Sequence, residues 1–153
     1  MNKLLIASDH AGFDLKEKLR EYLEKKGIAV KDLGTHSADR CDYPLYAYRL
    51  AKEISTRKAK RGILICKSGI GNSIVANRLP GVRAALCHNL KITKLSRQHN
   101  DSNVLVLGSG FVTADQAKKM VMAWLETKFL GGRHLRRLKL INQIDKNIKK
   151  GVK

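Results

Sequence analysis

The sequence predicts an α/β fold, a doubly wound, mainly parallel sheet of five strands flanked by helices, and three observations carry that prediction. Short, nearly unbroken apolar runs recur along the 153 residues, each followed by a segment with helical apolar spacing. A run without polar alternation suits a strand covered on both faces, the setting of parallel strands. Parallel neighbours need crossover connections, and the amphipathic segments between the runs are long enough to serve as right-handed helical crossovers. No internal repeat, low-complexity segment or linker interrupts the alternation, so residues 1–153 read as one domain, large enough to bury a core.

Lys3 to Ser8 is the first strand, ending at Asp9-His10-Ala11-Gly12. Phe13 to Lys26 then sets Leu15, Leu19, Tyr22 and Leu23 on one helical face, and Gly27 stops the helix. Ala29 to Leu33 is the second strand. The polar stretch Gly34 to Asp42 is a loop, closed by Tyr43-Pro44 where the next helix begins, proline being suited to a first turn. That helix runs to Arg57, and the basic run Arg57-Lys58-Ala59-Lys60-Arg61 leads into the central strand, Ile63 to Ile65, which ends at Cys66. A loop with Gly69 and Gly71 follows, and Ile74 to Arg78 continue as a helix. After the turn at Leu79-Pro80-Gly81, Arg83 to Cys87 is the fourth strand, Leu90 to Gln98 a covering helix and Val104 to Gly108 the fifth strand. Thr113 and Gln116 have capping-box spacing ahead of a helix with Ala117, Met120, Val121, Trp124 and Leu125 at its apolar positions. Gly131-Gly132 breaks it. A last helix carries Leu135, Leu138, Ile141, Ile144 and Ile148 on one face; surplus to covering the sheet, it is a candidate to pack on a second copy of the chain.

Composition narrows the function classes. With 43% hydrophobic residues, 12 Gly and 2 Pro, the chain is globular. The opening run Leu4-Leu5-Ile6-Ala7 is interrupted at Asp9, far short of the roughly 20 apolar residues a membrane crossing needs, and no signal-peptide pattern is seen, so the expected location is cytoplasmic. Cys41, Cys66 and Cys87 are odd in number and lack CxxC or His-paired spacing, which argues against a disulfide framework and a zinc site. A net charge of +18 raises nucleic-acid binding, because lysine and arginine displace counterions from a phosphate backbone. Outside the tail the excess is dispersed, the pattern of a solvated surface, which disfavours nucleic acid as the partner.

Ligands of a doubly wound sheet bind outside the carboxyl ends of its strands. Those ends hold Asp9-His10, the Cys66 loop and Gly108-Ser109-Gly110, while His99-Asn100 falls on the opposite edge unless its helix bends back. Glycines at 69 and 71 let successive N–H groups converge on an anion where a helix begins, and a thiol there is biased towards thiolate. Cys66 is therefore either a reactive cysteine beside an anion cradle or a small apolar residue ending a buried strand. Three familiar motifs fail on this stretch: Cys66 stands where a Walker A loop needs glycine, Ile74 where a dinucleotide fingerprint needs glycine or alanine, and Asn72 where a cysteine phosphatase needs arginine. Asp9-His10 fits an acid/base pair or a helix cap. His99 fits a functional group or a histidine welcomed by a helix C-terminus. Arg133 and Arg137, four apart, fit a phosphate clamp or a solvated face. Tyr43 fits a hydrogen-bond donor at the site or a local packing residue.

Taken together, Ser8-Asp9-His10-Ala11-Gly12, Asp42-Tyr43-Pro44, the Gly62 to Cys66 strand with Ser68-Gly69-Ile70-Gly71, Ser96-Arg97-Gln98-His99-Asn100-Asp101 and Gly131-Gly132-Arg133-His134 resemble the B-type ribose-5-phosphate isomerases, within the family that also holds galactose-6-phosphate isomerases. The resemblance spans essentially the whole chain, in order. It implies a Rossmann-like sheet and a homodimer with shared active sites, assembly into a tetramer being left open. It also implies an aldose–ketose isomerase of the pentose phosphate pathway that needs no metal and no cofactor and interconverts ribose 5-phosphate and ribulose 5-phosphate through an enediolate. By position, Cys66 corresponds to the base and His99, from the partner chain, to the group that opens the sugar ring. Asp9, His10, Tyr43 and Asn100 would hold the hydroxyls and ring oxygen. The backbone amides of Lys67, Ser68, Gly69, Ile70 and Gly71, with the Ser68 hydroxyl, would hold the enediolate, and Arg133 and Arg137 the phosphate.

An enediolate needs a base plus fixed donors where charge develops, which a glycine loop at a helix start supplies. The helix end together with Lys67 is expected to lower the thiol from its reference value of about 8.5. Two positions depart from the family's pattern: Lys67 follows the cysteine where glycine is usual, and Gly110 stands where arginine is frequent, which weakens the phosphate clamp. The cysteine favours a pentose phosphate. Two other readings stand beside this one, an isomerase for a six-carbon sugar phosphate such as allose or galactose 6-phosphate, and a non-catalytic basic module that binds phosphate or nucleic acid.

Overall fold

The structure, a computed structural model, describes residues 3–151. Its strands are β1 (Leu4–Ser8), β2 (Val30–Asp32), β3 (Gly62–Cys66), β4 (Ala84–Leu86) and β5 (Val104–Gly108). Its helices are α1 (Phe13–Lys25), α2 (Tyr43–Ser55), α3 (Ile70–Ala76), α4 (Leu90–Asn100), α5 (Ala114–Glu126) and α6 (Arg133–Lys149). The strands form one sheet in the order β2-β1-β3-β5-β4, with every pairing parallel.

The three inner strands, β1, β3 and β5, are buried at every residue, as their apolar runs require. Alternate residues serve opposite faces. Ile6, Ile63, Ile65, Leu105 and Leu107 pack under α1 and α5, where Leu15, Leu19, Leu23, Met120, Val121 and Trp124 meet them. Leu5, Ala7, Leu64, Val104 and Val106 face α2 and α3 through Ala47, Leu50, Ala51, Ile54 and Ala76. The expected capping box opens α5: Thr113 Oγ1 accepts from the Gln116 amide, and the Gln116 side chain accepts from the Thr113 amide.

Two boundaries and one helix face differ from expectation in ways that matter for the site. α3 starts at Ile70 rather than Ile74, because Gly69, at φ +80°, turns the chain directly from the strand into the helix. β4 keeps only Ala84 to Leu86, at a half-buried sheet edge. On α6 the expected single apolar face divides: Leu138 is buried against the chain, whereas Leu135, Ile141, Ile144 and Ile148 are exposed.

Register then places the ends. Ser8 pairs with Ile65 and Cys66 with Gly108 at the carboxyl edge, while Gly62 pairs with Val104 at the amino edge.

Candidate active site

Cys66 is the last residue of the central strand and is 5% exposed. The turn that follows folds back over it, so the Gly69 amide donates to Sγ at 3.2 Å. Gly71 sits where the Tyr43 ring lies; a Cβ there would be 2.4 Å from Tyr43 Cζ, so only glycine allows the ring to rest on the loop. Ser68 Oγ accepts from the Ile70 amide at 3.2 Å. The neighbouring strand end is tied to this loop, with the Ser109 amide donating to the Cys66 carbonyl at 2.8 Å and the Gly110 amide to the Lys67 carbonyl at 2.9 Å. Ser109 Oγ continues the link by donating to the Ala11 carbonyl at 2.8 Å. Three successive carboxyl-edge turns, after β1, β3 and β5, are thereby locked together.

Asp9 takes the helix-cap reading and also lies near the thiol. Its Oδ1 accepts from the Gly12 amide at 3.0 Å, a cap on the short turn His10–Gly12, yet the carboxylate also lies close enough to Cys66 to act on its thiol. His10 turns away from the cap: its Nδ1 is 3.1 Å from the Cys41 carbonyl oxygen and 3.3 Å from the Cys41 amide nitrogen, donating to the first in one tautomer and accepting from the second in the other. This contact draws the 34–42 loop over the end of β1.

The sequence expectation of a thiol shifted towards thiolate is overturned. Burial pushes the Cys66 thiol above its ordinary value. The amides of Asn72, Gly69 and Ser68 pull it down and the Asp9 carboxylate pushes it up, but removal from water outweighs the amides. Lys67 is not among the groups that shift the thiol, and its side chain lies over Gly110. Asn72 is a site residue that sequence reasoning missed; with the helix expected to start only at Ile74, its amide had no reason to point at the sulfur. Its side chain is buried, and its amide oxygen and nitrogen have no hydrogen-bond partner among the described residues.

The other expected site residues gather elsewhere. α4 runs back to the amino edge and ends at Asn100, so it does not bend round, and His99 stays on the edge opposite Cys66. The five residues of β5 separate the two edges by about 13 Å. There the His99 ring stacks on His134 with centroids 4.2 Å apart and planes 8° from parallel. Arg133 and Arg137 project from the first turns of α6 beside that stack and are exposed. Burial lowers the His134 pKa, and His99, Arg133 and Arg137 act in the same direction. Each chain thus carries two partial constellations: Asp9, His10, Tyr43, Cys66 and residues 67–71 at one edge, and His99, Asn100, Arg133 and Arg137 at the other. A cavity of about 940 Å³ also opens at the amino edge, lined by Arg57, Lys60, Arg83, Arg97 and Lys146 among others, but none of the residues of either constellation lines it. Among the described residues no three His, Cys, Asp or Glu side chains come together as a metal site, and no helix is long and apolar enough to cross a membrane.

Residues 4–141 match the family model for ribose/galactose isomerases. The chain is 43% identical over 145 residues to ribose-5-phosphate isomerase B of Escherichia coli (strain K12), covering 95% of this chain and 97% of that protein. It superposes on ribose-5-phosphate isomerase B of Clostridium thermocellum with a TM-score of 0.93 at 42% identity, over 95% of this chain and 99% of that one. The corresponding enzyme of Mycoplasma genitalium, solved with bound ribulose 5-phosphate, superposes with a TM-score of 0.91 at 41% identity, over 94% and 96%.

Proposed function

From its membership of the ribose/galactose isomerase family, which makes it an isomerase, we propose that this chain interconverts ribose 5-phosphate and ribulose 5-phosphate in a centre completed by a second copy. The observation that carries this reading is the division of one chain into two incomplete halves at opposite edges of the sheet. In a twofold dimer the carboxyl edge of one protomer meets the amino edge of the other, and both halves become useful. The exposed apolar residues of α6 supply a surface for that contact.

His99 of the partner subunit opens the sugar ring by moving a proton between the ring oxygen and the anomeric hydroxyl. Asp9, His10 and Tyr43, with Asn100 of the partner subunit, hold the hydroxyls of the open chain and the ring oxygen. Cys66 Sγ, as thiolate, takes the proton from C2, the electron pair moves into the C1–C2 bond, and the carbonyl oxygen becomes an enediolate oxygen. The same thiol returns the proton to C1 while the proton of the C2 hydroxyl passes to O1, leaving the ketone at C2 and a hydroxyl at C1. Backbone amides of residues 67–71, with Ser68 Oγ, face the developing charge, and because the loop is fixed by its links to β5 they need not reorganise during the step. A buried sulfur with a raised pKa is a stronger base once ionised, since little water competes for its charge. Arg133 and Arg137 of the partner subunit bind the phosphate and orient the sugar. Placing two cations at the start of α6 opposes the helix dipole, a cost that a bound dianion offsets.

The test is ribulose 5-phosphate formation by purified protein, with Cys66→Ala and His99→Ala prepared separately. Each variant alone should be inactive. Mixed after reversible dissociation, half of the dimers are hybrids with one intact centre out of two, so activity should return to about one quarter of the unmodified level. Two inactive variants that stay inactive as demonstrated hybrids would rule out the shared centre. A panel with allose and galactose 6-phosphates separates the pentose from the six-carbon reading.

A further inference from the structure

The two adjacent loops that follow β3 and β5 at the carboxyl edge carry a single basic side chain between them. Lys67 is the one Lys or Arg between Gly62 and Asn77, and none lies between Val104 and Ala117. It is exposed, and it has no ion pair or side-chain hydrogen bond among the described residues. Its course is nevertheless defined. A Cβ placed on Gly110 would stand 3.1 Å from Lys67 Cε, 3.4 Å from Cδ and 3.2 Å from the Lys67 carbonyl oxygen. The far half of the lysine stem thus fills the space that a side chain at position 110 would occupy. That space does not drift relative to the thiol, because the Gly110 and Ser109 amides are bonded to the carbonyls of Lys67 and Cys66.

A lysine free in water samples many rotamers, and a stem laid on bare glycine backbone loses part of that freedom before any ligand arrives. The result is a cation with no counter-ion, held at the rim beside the residue that touches the reacting carbons. On the isomerase reading above, C1 and C2 sit at Cys66 and the phosphate projects from the other end of the substrate, towards the rim. We propose that Lys67 Nζ binds the phosphate of the substrate, and that Gly110 is required because any side chain there would displace the lysine stem. The phosphate is then held from both chains, by Lys67 on one and by Arg133 and Arg137 on the other. This rests on the proposed reaction only for what the phosphate is attached to; the recognition of a phosphate dianion by a fixed ammonium stands by itself.

Steady-state kinetics on Lys67→Ala and Lys67→Met should show KM for ribose 5-phosphate raised about tenfold with kcat within about twofold, since a phosphate contact is made in both ground and transition states. The competitive inhibition constant of inorganic phosphate should rise by a similar factor, and the pH dependence of kcat should not move. Gly110→Val, which pushes on the lysine stem, should raise KM in the same direction. The double variant Lys67→Gly with Gly110→Arg should recover most of the affinity, because the arginine grows into the space the lysine has left. An unchanged KM in Lys67→Ala overturns the proposal, as does a fall in kcat with a displaced pH limb, which would put the lysine on the thiol. Failure of the double variant to recover overturns the claim that the two positions serve one cation. Calorimetric titration with inorganic phosphate separates the two readings: Lys67-dependent binding by a protein that turns over no ribose 5-phosphate supports the anion site and refutes the reaction, and turnover without Lys67 dependence does the reverse.

Discussion

Gly71→Ala isolates the part of the site that depends on close approach. The added Cβ would stand 2.4 Å from Tyr43 Cζ, 2.5 Å from Cε2 and 2.8 Å from the hydroxyl. Ordinary contact begins near 3.4 Å, so the ring must retreat by about 1 Å. It can do so, because Tyr43 is 38% exposed and begins α2 at the surface. The stability terms nearly cancel: alanine in the first turn of α3 gains up to about 1 kcal/mol over glycine, and the lost contact of a half-exposed ring costs about the same. Activity should not cancel. A shift of about 1 Å in a group that positions substrate can lower turnover by about a hundredfold. The expected pattern is therefore a melting temperature within a few degrees of the unmodified protein and kcat/KM for ribose 5-phosphate lower by one to two orders of magnitude. Tyr43→Ala should produce the same kinetic loss, and adding Gly71→Ala to it should cost no more. Full activity in Gly71→Ala, or strictly additive losses in the pair, would refute the idea that Gly71 serves to seat Tyr43.

Two further outcomes follow from the burial of charged and titratable groups. On the proposed mechanism Cys66 acts as the thiolate, and burial raises its pKa, so kcat/KM should climb with pH through the neutral range and continue beyond the thiol's ordinary value, while carbamidomethylation at pH 7 should be slow; a limb centred below that value contradicts the burial argument. The same shift makes the folded thiol hold its proton more tightly than the unfolded one, so its contribution to stability is complete below the ordinary value and is lost as pH rises above it. Lys16 is fully buried against Asp32 and Glu17, and Asp32→Ala leaves that ammonium only Glu17; denaturant unfolding should register a loss of about 2 kcal/mol, and a loss under about 0.5 kcal/mol would show that the pair is not what holds Lys16 inside.

Much of this protein is legible in one dimension because its sheet is built from local signals. Leu4 to Ser8, Gly62 to Cys66 and Val104 to Gly108 are apolar on both faces, and that pattern has few solutions other than a buried parallel strand. Gly69 marks the end of the central strand for the same local reason, a positive φ. What could not be read are quantities set by neighbours distant in sequence. The sign of the Cys66 shift depends on how completely β1, β5 and the returning loop exclude water, and the local helix-end argument pointed the other way. Lys16 occupies a helical position that nothing in the spacing marks as interior; its partner Asp32 lies across the first β-α unit. The contact of Lys67 with Gly110 joins residues from two strand ends, and the His99–His134 stack joins two helices.

The placement of His99 shows how topology alone can argue for assembly. A histidine on a helix that follows an edge strand of a parallel sheet must return to the amino edge before the next strand can begin, so no adjustment of loop lengths within one chain brings it to Cys66. Its ring is nonetheless ordered by stacking on His134, and two arginines are gathered beside it with no carboxylate partner among the described residues. Groups that are held in place yet lack a substrate on their own chain are explained economically if a second copy brings one to them. The same reasoning accounts for the exposed isoleucines of α6, which neither the sheet nor α4 needs, and on the proposed shared centre specific activity should fall when the protein is diluted until the protomers separate.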